Sequence, residues 1–159
     1  MRLDELTVGQ ALPKLAIPIT VPLVAGGAIA TRDYFPGHHD LDAARALGSP
    51  HIFMNILTTT ALVQRYVEGW AGTDCRFKAI KIKLGAPNYP GDTMTFTASV
   101  TDVTTDETGC GWAGLEVTLS ATSAERPEPR VCSTCSVRVA VPTSADDNPW
   151  SRRGDQWKP

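Results

Sequence analysis

Ile52-Phe53-Met54-Asn55-Ile56-Leu57-Thr58-Thr59-Thr60-Ala61-Leu62-Val63-Gln64-Arg65-Tyr66-Val67-Glu68-Gly69-Trp70 is the stretch that decides the fold. Its apolar residues spread around most of a helical circumference instead of forming one stripe. A helix of that kind is buried. At about 19 residues it is about 28 Å long. Asn55, Gln64, Arg65 and Glu68 make it too polar to span a bilayer. The sequence therefore predicts one central helix over Ile52–Trp70.

What surrounds that helix follows it in the chain. Phe77–Leu84 alternates, with Ile80, Ile82 and Leu84 on one face and Lys81 and Lys83 on the other. Pro87-Asn88-Tyr89-Pro90-Gly91-Asp92 is a turn cluster. Thr93–Val103 alternates and is rich in Thr, Val and Phe, and Asp106–Gly109 supplies a hairpin turn. Trp112–Ala121 and Val131–Val141 complete a set of long antiparallel strands, joined by the charged Glu125–Arg130 loop. One buried helix followed by antiparallel strands is an α+β plan. A curved antiparallel sheet wrapped around one long central helix is the hot-dog fold. Residues 1–141 are expected to form this domain. Residues 142–159 read as a C-terminal tail with little core of its own, whose Trp150 and Trp157 are available to dock on a surface.

Upstream of the helix, Pro13 and Pro18 confine Leu12–Ile19 to an edge strand or an extended arm. Val21–Thr31 reads as a short helix weakened by Gly26 and Gly27. Asp40 or Asp42 caps a further short helix, Asp42–Leu47, which Gly48 ends. Between these two helices runs Ala30-Thr31-Arg32-Asp33-Tyr34-Phe35-Pro36-Gly37-His38-His39-Asp40. Pro36 and Gly37 break regular structure, so this is a loop. Loops on a rigid scaffold often carry catalytic groups. A carboxylate and an imidazole on one short loop can converge on a single water, which acid–base chemistry requires. Taken alone, the same spacing also suits an Asx-type turn with a solvated histidine. His39 is expected to point away along the loop, and His51 to pack ahead of the helix.

The chain has 159 residues, which suits one domain. It is 42% hydrophobic and 20% charged with a net charge of −2, so the overall balance favours neither nucleic acid nor an anionic membrane as partner. No basic segment precedes a long apolar run, so no secretory signal is read and a cytoplasmic location is expected. Cys132 and Cys135 form a C-x-x-C, but in a strand positions i and i+3 face opposite sides. Zinc also requires a second ligand pair at matching spacing. Cys75, Cys110, Cys132 and Cys135 therefore read as reduced thiols, and no metal is expected.

Three patterns in register resemble the MaoC-like (R)-specific enoyl-CoA hydratases, a hot-dog family. They are Asp33-x-x-Pro36-x-His38 with Ala44 following, the helix opening at Ile52-Phe53-Met54-Asn55-Ile56, and Pro87-x-Tyr89-x-Gly91-Asp92-Thr93. The resemblance runs from Leu12 to Val141. Ala30-Thr31-Arg32-Asp33, His38-His39-Asp40, Ile52-Phe53-x-Asn55-Ile56-Leu57-Thr58, Leu62-Val63-Gln64-Arg65-Tyr66-Val67 and Trp70-Ala71-Gly72 are similar to the small catalytic subunit of the actinobacterial heteromeric enoyl-CoA hydratase of steroid side-chain degradation.

The resemblance implies an enzyme that adds water across the α,β double bond of a bulky, steroid-type enoyl-CoA thioester. Asp33 and His38 are its implied catalytic pair. The backbone N–H of Ile56, or of Asn55 one position earlier, is the implied donor to the thioester oxygen. A larger MaoC-like subunit is the implied partner, and no cofactor is implied beyond the coenzyme A carried by the substrate. Two positions depart from the broad family. Phe35 replaces an Asn before the proline, so another group must fix Asp33. Asn55-Ile56 replaces His-Gly, and Ile56 keeps the backbone N–H while its bulk reshapes the pocket. A homodimeric (R)-hydratase of short or medium chains, a hot-dog thioesterase and a non-catalytic subunit that completes a partner's site are the alternatives. Retention of both Asp33 and His38 argues against the last.

Overall fold

The structure, a computed structural model, describes residues 1–157. Lys158 and Pro159, the end of the expected tail, lie outside the described residues. Five antiparallel strands form one sheet: β1 (Leu15–Pro18), β2 (Arg76–Leu84), β3 (Thr93–Thr105), β4 (Gly111–Thr122) and β5 (Arg130–Val141), in the spatial order β1-β3-β4-β5-β2. The short β1, limited by its prolines, lies at one edge and, among the described residues, pairs with β3 alone, as Leu15↔Phe96 to Pro18↔Thr93. At the other edge, among the described residues, β2 pairs with β5 alone, with a bulge between Phe77 and Ala79. Three α-helices occur among the described residues, α1 (Val21–Ala30), α2 (Leu41–Ala46) and α3 (Ile56–Ala71), with short single turns between and beyond them. No helix among the described residues is long and apolar enough to cross a membrane.

The long helix starts four residues later than its periodicity predicts. Asn55 is in an extended conformation, and its side chain accepts a 2.9 Å hydrogen bond from the Thr58 N–H. This is an N-cap, and it satisfies one of the donors a helix start leaves open. Ile52–Met54 is a non-helical lead-in. Ile52 and Met54 are nonetheless buried, so apolar periodicity counts them with the helix.

One face of α3, carrying Leu62, Val63, Tyr66 and Val67, packs into the core with Phe96 and Leu115 of the sheet. The rings of Tyr66 and Phe96 lie 5.4 Å apart. The expectation of burial on most sides is corrected here. Ile56 and Leu57 are 41% and 48% exposed, because the sheet of a single chain covers only one side of the helix.

α1 forms despite its glycines and uses one of them for contact. Thr20 caps it through the Leu23 N–H at 3.2 Å. A Cβ on Gly27 would stand 2.4 Å from Thr58 Oγ1, so the close α1–α3 crossing requires glycine there. α2 begins at Leu41 with Asp40 as cap, accepting from the Asp42 and Ala43 N–H groups.

The β3–β4 hairpin is tied by Asp106, which accepts from the Thr108 and Cys110 N–H groups, the Thr108 hydroxyl and the Trp112 indole. Burial raises the pKa of this carboxyl, but those donors outweigh it and hold the group well below the usual carboxylate range. The tail folds back over this end of the sheet. The Trp157 ring lies 5.1 Å from that of Trp112, Arg76 stacks over Trp157 at 3.8 Å, and Trp150 donates to the Cys75 carbonyl. All four cysteines are free and buried. Burial pushes the Cys75 and Cys135 thiols up to about 11.

Gly27→Ala is expected to lower stability by about 1–3 kcal/mol through overpacking against Thr58. Gly26→Ala, with open space at its Cβ position, should be neutral or slightly stabilising. Urea unfolding midpoints of the two variants check the contrast.

Candidate active site

The loop between α1 and α2 brings Asp33 and His38 together, with Asp33 Oδ2 3.4 Å from His38 Nε2. Asp33 is placed by the end of α1. The Asp33 N–H bonds the Ala28 carbonyl at 2.9 Å and the Arg32 N–H bonds that of Ile29 at 3.0 Å, with Arg32 at φ 57°. This is a Schellman closure, whose left-handed position is usually glycine. Here Arg32 takes the strained conformation and fixes where Asp33 leaves the helix.

His38 sits on the single turn Pro36–His38 and is 7% exposed. Its Nδ1 donates to the Phe53 carbonyl at 2.7 Å, which leaves Nε2 as the ring atom that faces Asp33, a lone pair whenever the ring is neutral. Phe35 and Phe53 enclose the ring edge-on at 5.4 and 4.9 Å. Gly37 makes this packing possible, since a Cβ there would meet the Phe35 ring at 2.7 Å and the Phe53 ring at 3.0 Å. His39 is exposed, as expected. His51 lies outside the cleft described below, with Nδ1 buried and unpaired.

The group that fixes Asp33 in place of the missing loop amide is Asn55. Its Nδ2 donates to Asp33 Oδ2 at 3.0 Å and to Thr31 Oγ1 at 2.9 Å. Thr31 in turn donates to the Gly27 carbonyl at 2.8 Å, closing the link to α1. The Asn55 hydrogen bond draws the Asp33 carboxyl below its ordinary pKa. Desolvation opposes that shift, and the Phe35 N–H and the charge of a protonated His38 add to it.

The lead-in Ile52–Met54 joins the three motifs through its backbone. Phe53 N–H bonds the Gly37 carbonyl at 3.2 Å, and Met54 N–H bonds the Asn88 carbonyl at 3.1 Å. The N–H groups of Asn55 and Ile56 bond no acceptor among the described residues. Both residues line a cleft of about 270 Å³, together with Asp33, His38, Asn88 and Cys132 among others. Unpaired donors at a helix start favour an oxygen that gains negative charge.

Three contributors escaped the sequence reading: Thr31, the Phe53 carbonyl and Asn88. A backbone carbonyl leaves no sequence signal. A polar Asn88 in a turn next to apolar strands was a signal, and turn chemistry alone explained it away. Asp92 of the same turn is structural. It is buried, pairs with Arg130, and accepts from the Tyr89 N–H at 2.8 Å.

Asn55→Ser keeps a capping hydroxyl but loses the amide to Asp33. It is expected to leave α3 folded and to lower kcat by about 10- to 100-fold through misplacement of the carboxylate. Asn55→Ala should lose the cap as well, at about 1 kcal/mol. Circular dichroism melts alongside turnover separate the two effects.

Residues 6–121 match the MaoC-like domain family. The chain is 49% identical over 96 residues, 60% of its length and 74% of the relative's, to the 3-oxo-4,17-pregnadiene-20-carboxyl-CoA hydratase beta subunit of Mycobacterium tuberculosis. A chain of the crystal structure of the ChsH1–ChsH2 complex from the same organism superposes with a TM-score of 0.71 at 38% identity, covering 85% of this chain and 98% of that one. The (R)-hydratase from A. caviae involved in PHA biosynthesis shares the fold at a TM-score of 0.71 and 19% identity, over 87% of this chain and 99% of that one. With its hot-dog sheet and helix, the chain belongs to the MaoC-like domain family.

Proposed function

We propose that the chain is the catalytic small subunit of a heteromeric enoyl-CoA hydratase that acts on a bulky, steroid-type enoyl thioester. The observation that carries this reading is the facing of Asp33 Oδ2 and His38 Nε2 at 3.4 Å beside the open start of α3. That separation exceeds the about 2.7–2.9 Å of a charge-assisted hydrogen bond. With the ring neutral, two acceptors face one another, and one water donating to both satisfies them. As the water oxygen attacks Cβ, the pair takes one proton from it. The same pair then delivers that proton to Cα, so a single water supplies both the hydroxyl and the hydrogen. The Ile56 N–H, with the Asn55 N–H beside it, holds the thioester oxygen as charge builds there. No cofactor enters this chemistry, since coenzyme A arrives with the substrate.

The substrate class rests on likeness to the mycobacterial hydratase beta subunit. A partner of larger MaoC-like type fits what a single chain leaves open. The outer edge of β2 carries no strand among the described residues. Ile56 and Leu84 of the cleft wall are 41% and 52% exposed, and Leu57 beside them is uncovered too. An unpaired edge beside exposed apolar residues is an association surface. Four free thiols suit a reducing compartment, in keeping with the cytoplasm.

Asp33→Asn and His38→Ala are each expected to lower turnover by about 10²–10⁴-fold with assembly unchanged on gel filtration. Near-normal turnover in either variant contradicts the assignment. Loss of enoyl-thioester absorbance, followed on steroid and linear enoyl-CoAs with and without a larger MaoC-like subunit, tests the substrate class. Full activity of the chain alone on short linear substrates would favour a homodimeric hydratase instead.

A further inference from the structure

Asn88 is 5% exposed and lines the same cleft as Asp33 and His38. Its backbone is engaged, because its carbonyl accepts the Met54 N–H at 3.1 Å and so fixes the residue beside the start of α3. Its side chain is not engaged. Oδ1 is buried without a hydrogen-bond partner, and neither end of the carboxamide bonds another described residue. Leaving a buried amide unpaired is unfavourable, and an apolar side chain in this wall avoids the penalty. An unpaired buried polar group calls for a physical explanation, and in the wall of a cleft a bound polar group supplies one.

The other polar groups of the cleft have assigned partners or tasks. Asp33 and His38 face each other. The Asn55 amide is spent on Asp33, Thr31 and the Thr58 N–H. The open N–H groups of Asn55 and Ile56 suit the thioester oxygen. None of these serves the next polar group of a coenzyme A thioester, the secondary amide that begins two carbons beyond the sulfur. A carboxamide matches that group, with an acceptor for its N–H and a donor for its carbonyl. The terminal torsion of an asparagine is soft, so either end of the amide turns readily toward the cleft.

Building on the hydratase reading, we propose that Asn88 is a substrate-binding residue whose carboxamide pairs with the pantetheine amide nearest the thioester. It holds the sulfur end of the substrate while the helix start holds the carbonyl, and together they set Cα and Cβ over Asp33 and His38. The ligand class it selects is any thioester of pantetheine, whatever the acyl group.

Two thioesters of the same enoyl acid separate this role from packing: one of N-acetylcysteamine, which keeps the amide, and one of pentanethiol, which has the same length without it. With the protein assembled with its partner subunit, kcat/KM is expected to be about tenfold higher for the amide-bearing thioester. Asn88→Val should erase that preference by lowering only the amide-bearing substrate, about tenfold. Asn88→Asp, nearly isosteric, should fall between the two. An equal loss on both thioesters, or no loss on either, overturns the proposal. Calorimetric binding of a saturated acyl-CoA to wild type and Asn88→Val needs no turnover. Affinity about tenfold weaker in the variant supports the Asn88 contact even if the wild type hydrates nothing, a result that sinks only the hydratase reading. Equal affinity overturns the contact.

Discussion

The carboxamide of Asn55 bonds to three parts of the molecule at once. Its oxygen caps α3 through the Thr58 N–H, and its nitrogen reaches both Thr31 at the end of α1 and the Asp33 carboxylate. At 2% exposure it does this away from solvent, where an unpaired amide is costly and a fully bonded one is held in place. Removing it frees the helix start, the end of α1 and the carboxylate together. The position of Asp33 relative to His38 therefore follows from the same contacts that begin the longest helix.

Around this amide the backbone of Ile52–Met54 acts as a clasp. Gly37 of the loop, His38 through Nδ1, and Asn88 of the turn all bond to it. Three stretches far apart in sequence thereby become one cleft. The local costs fall where a site concentrates them. Arg32 takes a left-handed conformation at the end of α1, and Gly37 is pressed between two phenylalanine rings. Strain and close contact of this kind persist only when surrounding bonds over-determine the geometry.

Much of this was legible in the sequence because it rests on local signals. Alternation located the long strands, prolines limited β1, and the Pro-Gly break set the loop that carries Asp33 and His38. The start of α3 differs from its periodicity because Ile52 and Met54 join the same core from a non-helical lead-in, which periodicity cannot distinguish from a helix turn. Asn55 itself carried the right signal, since asparagine is a preferred cap. The replacement of the loop asparagine by Phe35 also posed the right question, namely what else holds Asp33. Its answer lies 22 positions away in sequence, a distance that residue types alone do not bridge. The uncovered side of α3 was out of reach for a related reason, since a helix apolar all round does not say whether its own sheet or another chain covers it.

The proposed chemistry depends on an ionised Asp33 held toward His38, and Asn55 is the largest contributor to that state. Stabilising the charged form lowers a carboxyl pKa, so losing the Asn55 amide must raise it. The most direct test is a carbon-13 NMR titration of the Asp33 side-chain carboxyl in the wild type and in Asn55→Ser. The expected result is titration below the ordinary aspartate range in the wild type and an upward displacement in the variant. Titration of Asp33 at the same pH in both proteins would contradict the role given to Asn55.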